Sequence, residues 1–450
     1  MTANRQTARR NSVAYPKSLW AAVTADGPTY HTLDGEATAD VVVVGGGLVG
    51  LSAALQLAES GVDVAVVEAV EPGWGAAGRN NGQVIPTLTQ HDPDDIVARE
   101  GEAGERFVGL LRNSAQTVFN TIKRLGIAAE AEQTGWMQPA HSSGRMRLAE
   151  QRVEQWAKYG APVELLSRDQ VREMTGSDVW HGGWLNRSGG LINPLALTRG
   201  LAQAVMVARG RVYAHAPVYG IRRDGDRWVV DAKSGRVTAR ALILATNAYT
   251  GEFSSLMGTP ATDIRREIIP VMSWQIATEP LSAEIRQAVL PKRQALTDTH
   301  RDPHFIRWDV RGRLVTGGAL MNPLSGAWNL KTHIARRLNE LFPGRFEAAR
   351  FEYAWHGRIA VTPDHFPRFH KLGPDAVGWA GCNGRGVALG VSVGKELAKS
   401  VMGVPDSEVA LPFGPPTVVP YLPLVKAAAP LAVAFMRWQD QREVRDRPDA

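Results

Sequence analysis

The sequence predicts an α/β fold of two domains: a parallel-sheet domain that is discontinuous in the chain, and an α+β domain around an antiparallel sheet. Three observations predict it. First, residues 41–44 are four consecutive valines, apolar on both faces as a strand inside a parallel sheet requires. Gly45-Gly46-Gly47-Leu48-Val49-Gly50 follows at once and opens a segment with Leu48, Leu51, Leu55 and Ala58 at helical spacing. Gly61 stops that helix and 62–67 gives a second buried strand, one βαβ unit within about 30 residues. Second, the middle of the chain carries short strand-like runs at 228–231, 237–238, 272–277, 304–308 and 313–316, broken by glycine and charged turns. These suggest an antiparallel sheet and a second domain. Third, 377–380, the glycine-rich 381–386 and a helix with Val387, Val391, Gly394, Leu397 and Val401 on one face return to the style of the first unit. The expected segments are 1–90, 165–250 and 345–405 for the parallel-sheet domain, 91–164 and 251–344 for the antiparallel-sheet domain, and 406–450 for a C-terminal tail.

At 450 residues the chain is too long for one ordinary core, which supports two domains. The 44% hydrophobic and 21% charged composition is that of a soluble globular protein. Lys and Arg exceed the acids by 51 to 45, and the basic residues are scattered. That balance suits anionic cofactors, and no signature of nucleic-acid binding accompanies it. A single cysteine, Cys382, excludes an intrachain disulfide framework and a Cys-based zinc site. No metal is expected. The N-terminus, Met1 to Asn11, has no apolar region behind its basic residues and does not read as a secretory signal. No run approaches the roughly 18 apolar residues of a membrane span, so a soluble, cytoplasmic protein is expected. The tail from Tyr421 to Trp438, broken by Pro423, Lys426 and Pro430, reads as a helix docked on the protein ahead of one touching a membrane or a partner subunit.

The glycine motif has the G-x-G-x-x-G form of a dinucleotide site. Gly45 makes the strand-to-helix turn, Gly47 admits a pyrophosphate to the backbone, and Gly50 lets helix and strand pack closely. The pyrophosphate then meets the unpaired amides at the helix start, which include those of Leu48 and Val49. Alone the motif is weak. Here Glu68 answers it at the end of the second strand, near the ~20-residue spacing of the acid that holds the ribose, with Ala69 beside it. A bare glycine turn with a surface acid is the weaker account. The motif does not separate NAD from FAD.

The next segment does. Pro72-Gly-Trp-Gly-Ala-Ala-Gly-Arg-Asn-Asn-Gly-Gln83 resembles the flavin-facing loop of the D-amino-acid oxidase/glycine oxidase (DAO) superfamily, and most of all the gamma-glutamylputrescine oxidase branch, which carries G-A-S-G-R-N-G-G-Q here. Ala77 replaces the branch's Ser and Asn81 a Gly, so one side-chain contact to the cofactor is expected to be missing or replaced. The resemblance implies a Rossmann-like FAD-binding domain of the glutathione-reductase type. It implies that Gly75, Ala76, Ala77, Arg79, Asn80, Asn81, Gly82 and Gln83 line the flavin, with Arg79, Asn80 and Gln83 as polar contacts. Asn193-Pro194 resembles the family's I-N-P segment, and Val218 stands where a strand backbone meets adenine. Ala245-Thr246-Asn247 resembles the A-T-G strand end over the ADP half. Trp355–Asp364 and Gly381–Val387 resemble the paired C-terminal blocks. The latter implies that Gly384, Arg385, Gly386 and Val387 lie beneath the pyrimidine edge of the flavin, where a helix N-terminus faces developing negative charge. For Arg385, plain surface exposure competes with that role. Gly75 stands where covalent relatives place His, and no Cys precedes the Thr362-Pro-Asp block, so non-covalent FAD is implied.

In amino-acid-oxidising relatives an Arg in W-x-G-x-R-P clamps the substrate carboxylate. This chain has Ile359 at that position and Arg358 one residue early, and in a strand one residue reverses the face. The resemblance therefore implies an amine substrate without an α-carboxylate. Oxidation of a primary or secondary amine would pass a hydride to flavin N5, and the imine would hydrolyse to aldehyde plus amine or ammonia. O2 is the expected acceptor, with H2O2 as product. Trp136, Trp184, Trp274 and Trp308 are candidates for a cage around a cationic amine, although each is individually a better core residue. Trp274, His304, Trp355 and His356 are the pocket candidates, and no catalytic base is assigned. A D-amino acid dehydrogenase serving a quinone is the alternative, an aromatic hydroxylase a lesser one, and a non-catalytic flavin-binding partner protein the alternative from another class.

Overall fold

The computed structural model describes residues 13–252, 259, 261–319 and 326–445; the N-terminus read for a signal lies outside them. Two eight-stranded sheets organise the chain. The valines of 41–44 end the strand Gly35–Val44, which pairs in parallel with Gly235–Leu244 on one side and Val64–Val67 on the other. All four are buried, as flanking by helices on both faces of the sheet requires. The sheet runs Arg368–Gly373, Ala376–Ala380, Gly235–Leu244, Gly35–Val44, Val64–Val67, Arg211–Tyr213. Helices Leu48–Glu59 and Gly386–Val401 cross on this sheet. The crossing is so close that a Cβ on Gly394 would sit 2.4 Å from the Val49 carbonyl oxygen.

The runs at 228–231 and 237–238 prove to belong to this first sheet. Val218–Asp224 and Arg227–Ala232 form an antiparallel meander on the edge of Gly235–Leu244. Their alternation reports a half-covered strand and says nothing of which sheet covers it.

The second sheet runs Phe351–Val361, Ile269–Thr278, Leu314–Ala319, Phe305–Trp308, Ala295–Thr297, Trp136–Pro139, Gly183–Asn186, Val163–Leu166. Its pairs are antiparallel except Ala295–Thr297 with Trp136–Pro139. Sheet membership therefore puts Gly183–Asn186 and Phe351–Val361 with the antiparallel sheet, where boundaries at 165 and 345 had assigned them to the parallel one. The reason lies in Phe351–Val361: it pairs with Ile269–Thr278 from Phe351 to Val361, and local sequence does not name a strand's partner.

A small cluster of Leu19, Trp20, Leu195, Ala277, Val315 and Trp355 ties the N-terminal helix Leu19–Val23 to helix Pro194–Val207 and to the second sheet. No helix among the described residues is long and apolar enough to cross a membrane.

Candidate functional site

The site starts at the carboxyl end of Gly35–Val44. Gly45 takes φ +110°, and a Cβ on Gly50 would lie 2.0 Å from the Gly45 carbonyl oxygen. Helix Leu48–Glu59 starts at Gly47 with no side-chain cap, so its first amides and dipole face the loop as an anion seat. Glu68 closes the side. Its carboxylate accepts from the Gly46 N–H at 2.6 Å and the Val70 N–H at 3.0 Å. Burial pushes this carboxyl up, against the lowering by the N–H groups of Val70, Gly46 and Ala69. The Glu68 carbonyl accepts from the Ala216 N–H, which brings Val218, the first residue of its strand, to the same rim.

The loop 72–84 folds back over the glycines, with the Ala77 methyl 3.7 Å from where a Gly47 Cβ would be. Gly75 and Ala76 are half-buried in its short Ala76–Gly78 turn. The polar side chains expected at the cofactor hold this loop's shape. Arg79 donates from Nε to the Trp74 carbonyl at 2.5 Å, reaches the His356 carbonyl at 3.4 Å, and stacks on the Trp74 ring. Asn80 donates to the carbonyls of Ala76 and Ala77 and accepts from the Gly82 N–H. Gln83 donates to the Leu296 carbonyl and accepts from the Thr297 hydroxyl. Asn81 donates to the Gln275 side chain at 3.1 Å, and its own Oδ1 is buried without a hydrogen bond.

Three supports were not legible beforehand. Trp20 and Trp355 donate their indole N–H groups to the Asn80 and Arg79 carbonyls, each at 2.8 Å. Fully buried Arg307 donates to the carbonyls of Asn81, Gly82 and Ile192. The sequence holds no signal for these contacts, because each partner lies more than 50 residues away.

The far wall is formed by two loops. Ala245 donates to the Val44 carbonyl, the Thr246 hydroxyl pairs with that of Thr250, and Asn247, at φ 45°, accepts from the Gly381 N–H at 3.0 Å. Asn247 thus joins the first loop to 381–387. Gly384 takes φ +81°, and Arg385 caps the helix that opens at Gly386 and Val387. Arg385 is buried rather than at the surface, at 7% exposure. Its Nε has no hydrogen bond and its guanidinium lies 5.1 Å from the Trp136 ring centre. Among the described residues it has no acid partner. Burial, with Arg152 adding repulsion, pulls it down to about 9. A buried guanidinium at a helix N-terminus gives this wall a positive potential that an anionic or reducible group would relieve.

The four pocket candidates separate. Trp274 and His356 meet across paired strands, their rings 4.8 Å apart; burial and then Arg79 and Arg358 lower the His356 imidazole. Trp355 stands behind the loop. His304 belongs elsewhere: it stacks on His300, which stacks on His141, and the Nδ1 atoms of His300 and His304 lie 2.7 and 3.0 Å from one Asp298 oxygen. The ligand atoms of Asp298, His300 and His304 lie within 4.8 Å of one another, the spacing of a group that could hold a metal ion. The tryptophan cage does not form as expected. Trp308 lies in the core of the antiparallel sheet, bonded to the Val289 carbonyl, and Trp184 is buried edge-on against Trp136. Arg358 pairs with Glu252, and Ile359 packs on the main core.

Comparison with known proteins agrees with this geometry. The DAO family model, described as FAD dependent oxidoreductase, matches residues 40–400. Gamma-glutamylputrescine oxidoreductase of Escherichia coli (strain K12) is 31% identical over 391 residues, covering 86% of this chain and 89% of that protein. Glycine oxidase from Geobacillus kaustophilus superposes with a TM-score of 0.67 at 20% identity, over 81% of this chain and 95% of that one. L-proline dehydrogenase from P. horikoshii gives 0.68 at 19% identity, over 85% and 98%.

Proposed function

Since this chain belongs to the DAO family of FAD-dependent oxidoreductases, which act on amine and amino substrates, we propose that it is an amine oxidase acting on a primary or secondary amine that lacks an α-carboxylate. The products are an imine, hydrolysed to aldehyde plus amine or ammonia, and H2O2 from O2. The relative named for gamma-glutamylputrescine supports the substrate class.

The observation that carries the reading is the state of Arg358 and Ile359. The guanidinium at 358 is taken by Glu252, and position 359 offers only an aliphatic side chain to the core. A carboxylate at that place would find no free fork of donors.

Bound FAD supplies the two-electron acceptor. The glycine loop and Glu68 would hold its ADP half, and residues 75–83 would hold its ring system. Arg385, with the helix start at Gly386, would supply positive charge where the reduced flavin carries negative charge. Gly75 has no side chain, and Cys382 is buried with its thiol toward the Ala360 carbonyl, so the cofactor is held without a covalent link. Trp274 and the neutral imidazole of His356 form a wall that orients the amine and excludes water.

The test is anaerobic titration of the holoenzyme with mono- and diamines, glycine and D-amino acids, followed by air. Amines should bleach the flavin absorbance and air should restore it with peroxide. Bleaching by α-amino acids alone would overturn the substrate class, and restoration only by a quinone would overturn the acceptor.

A further inference from the structure

The C-terminal helix Leu422–Arg445 is apolar on both sides over its first four turns, the pattern of a helix covered all round. Only one side is covered here. Leu422, Val425, Val433, Met436 and Asp440 turn inward and are half-buried or buried. The last turns are fastened by charge: Asp440 accepts from the Arg301 backbone and guanidinium, Glu443 pairs with Arg301 and Arg145, and Arg437 pairs with Asp302. Outward, Leu424, Ala427, Ala428, Leu431, Phe435 and Trp438 share one side of a 3.6-residue helix and are all exposed. Leu431 is 74% and Leu424 68% exposed, with Tyr421 at 79% extending the stripe.

We propose that this stripe binds the same stripe of a second copy of the chain, antiparallel, around a two-fold axis at Leu431. The residue sizes are self-complementary. Counting outward from Leu431, Phe435 of one copy meets Ala427 and Ala428 of the other, and Trp438 meets Leu424. Phe435 thus lies over alanines on each half, and Trp438 over Leu424, each contact repeated by the two-fold as an isologous interface requires. The area is sufficient. Aromatic side chains offer roughly 150–250 Å² each, so at 79%, 56% and 49% exposure Tyr421, Phe435 and Trp438 with two leucines exceed roughly 400 Å². That is already a large patch for a monomer, and with the helix flanks it approaches the ~800 Å² per partner of a standard interface. No acid or base stands between Leu424 and Trp438 on that side, and Arg442, at the stripe's end over the Trp438 ring, falls opposite position 420 across the two-fold, so two copies meet without like-charge repulsion.

The charge pattern selects this occupant over a bilayer. A membrane-surface helix carries Lys and Arg along the flanks of its apolar face. Here the flanking positions Pro423, Ala432, Gln439 and Gln441 are uncharged, Arg437 is committed to Asp302, and Arg442 lies over the Trp438 ring.

The experiment is sedimentation velocity of the FAD-loaded full chain over a concentration series, for wild type and Leu431→Glu. Wild type should sediment as a dimer. Leu431→Glu, which sets two carboxylates against each other on the axis, should halve the mass while flavin content and amine turnover stay unchanged. Leu431→Cys treated with a short bis-maleimide should give a covalent dimer, and Val207→Cys, 73% exposed elsewhere, should not. A monomeric wild type, a dimer that persists in Leu431→Glu, or a monomer that co-sediments with anionic phospholipid vesicles would each overturn the proposal.

Discussion

The indole N–H of Trp355 donates to the carbonyl oxygen of Arg79 at 2.8 Å, across 276 residues of sequence. Trp20 does the same for Asn80, and the two rings meet edge-on at 6.2 Å. The loop over the glycine turn is therefore held from behind by two tryptophans, one from the N-terminal helix and one from the second sheet. Replacing Trp355 by Phe keeps the packing and removes one hydrogen bond, a loss of about 1 kcal/mol. The expected result is a roughly fivefold weaker FAD affinity with the fold intact, read by fluorescence titration of the apoprotein.

Gly50→Ala places a Cβ against the Gly45 carbonyl, 2.0 Å away. Overpacking of this kind costs about 1–3 kcal/mol, and here the displaced atoms are the turn itself. The variant should purify without flavin absorbance and melt several degrees lower. Retention of full FAD content would mean that the helix can shift outward without loss of the seat.

Arg385→Leu should separate binding from stability. Removing a buried cation that has no acid partner should leave the apoprotein as stable or more so. The two-electron potential of bound FAD should fall, by about 30 mV for each 1.4 kcal/mol of lost stabilisation of the reduced form. A potential that does not move would place Arg385 away from the flavin.

The histidine stack predicts a pH effect. Burial above all holds His141 and His304 down at about 4, against 6.5 for an exposed imidazole, with Asp298 pulling both the other way. Between those values the unfolded chain takes up protons that the folded chain does not. Stability is therefore complete above pH 6.5 and declines as pH falls toward 4. His300 is shifted upward, burial lowering it but Asp298 raising it further, and so opposes the decline in part. The melting temperature should drop between pH 7 and 5, and His141→Asn should flatten that slope.

What the sequence made legible was local. The valines 41–44, the glycine turn and Glu68 all lie within about 30 residues, and each carries its own physical requirement. What it hid was partnership. Arg79, Asn80 and Gln83 are polar residues in a loop of the right family pattern, yet the carbonyls and hydroxyls that occupy them come from 74–77, 296–297 and 356. His304 was legible as a histidine for the pocket, but Asp298 and the stacked His300 and His141, which hold it elsewhere, are set by how the second sheet closes. Trp308 was visible as an aromatic in a strand, and only the register of that strand decides that it faces the core.

The parallel sheet that seats the cofactor places Gly35–Val44 between Val64–Val67 and Gly235–Leu244, and its glycine turn against the helix that opens at Gly386. During synthesis these pieces emerge far apart in time: at roughly 10 residues per second, Gly50 precedes Gly386 by about half a minute. The first strand must wait in the nascent chain with its valines uncovered, and FAD capture becomes one of the closing events of biogenesis. Cellular yield should then respond to flavin supply and chaperone capacity more than to the stability of the finished enzyme, and C-terminal truncation before the last helix of the sheet should yield aggregate instead of a smaller flavoprotein.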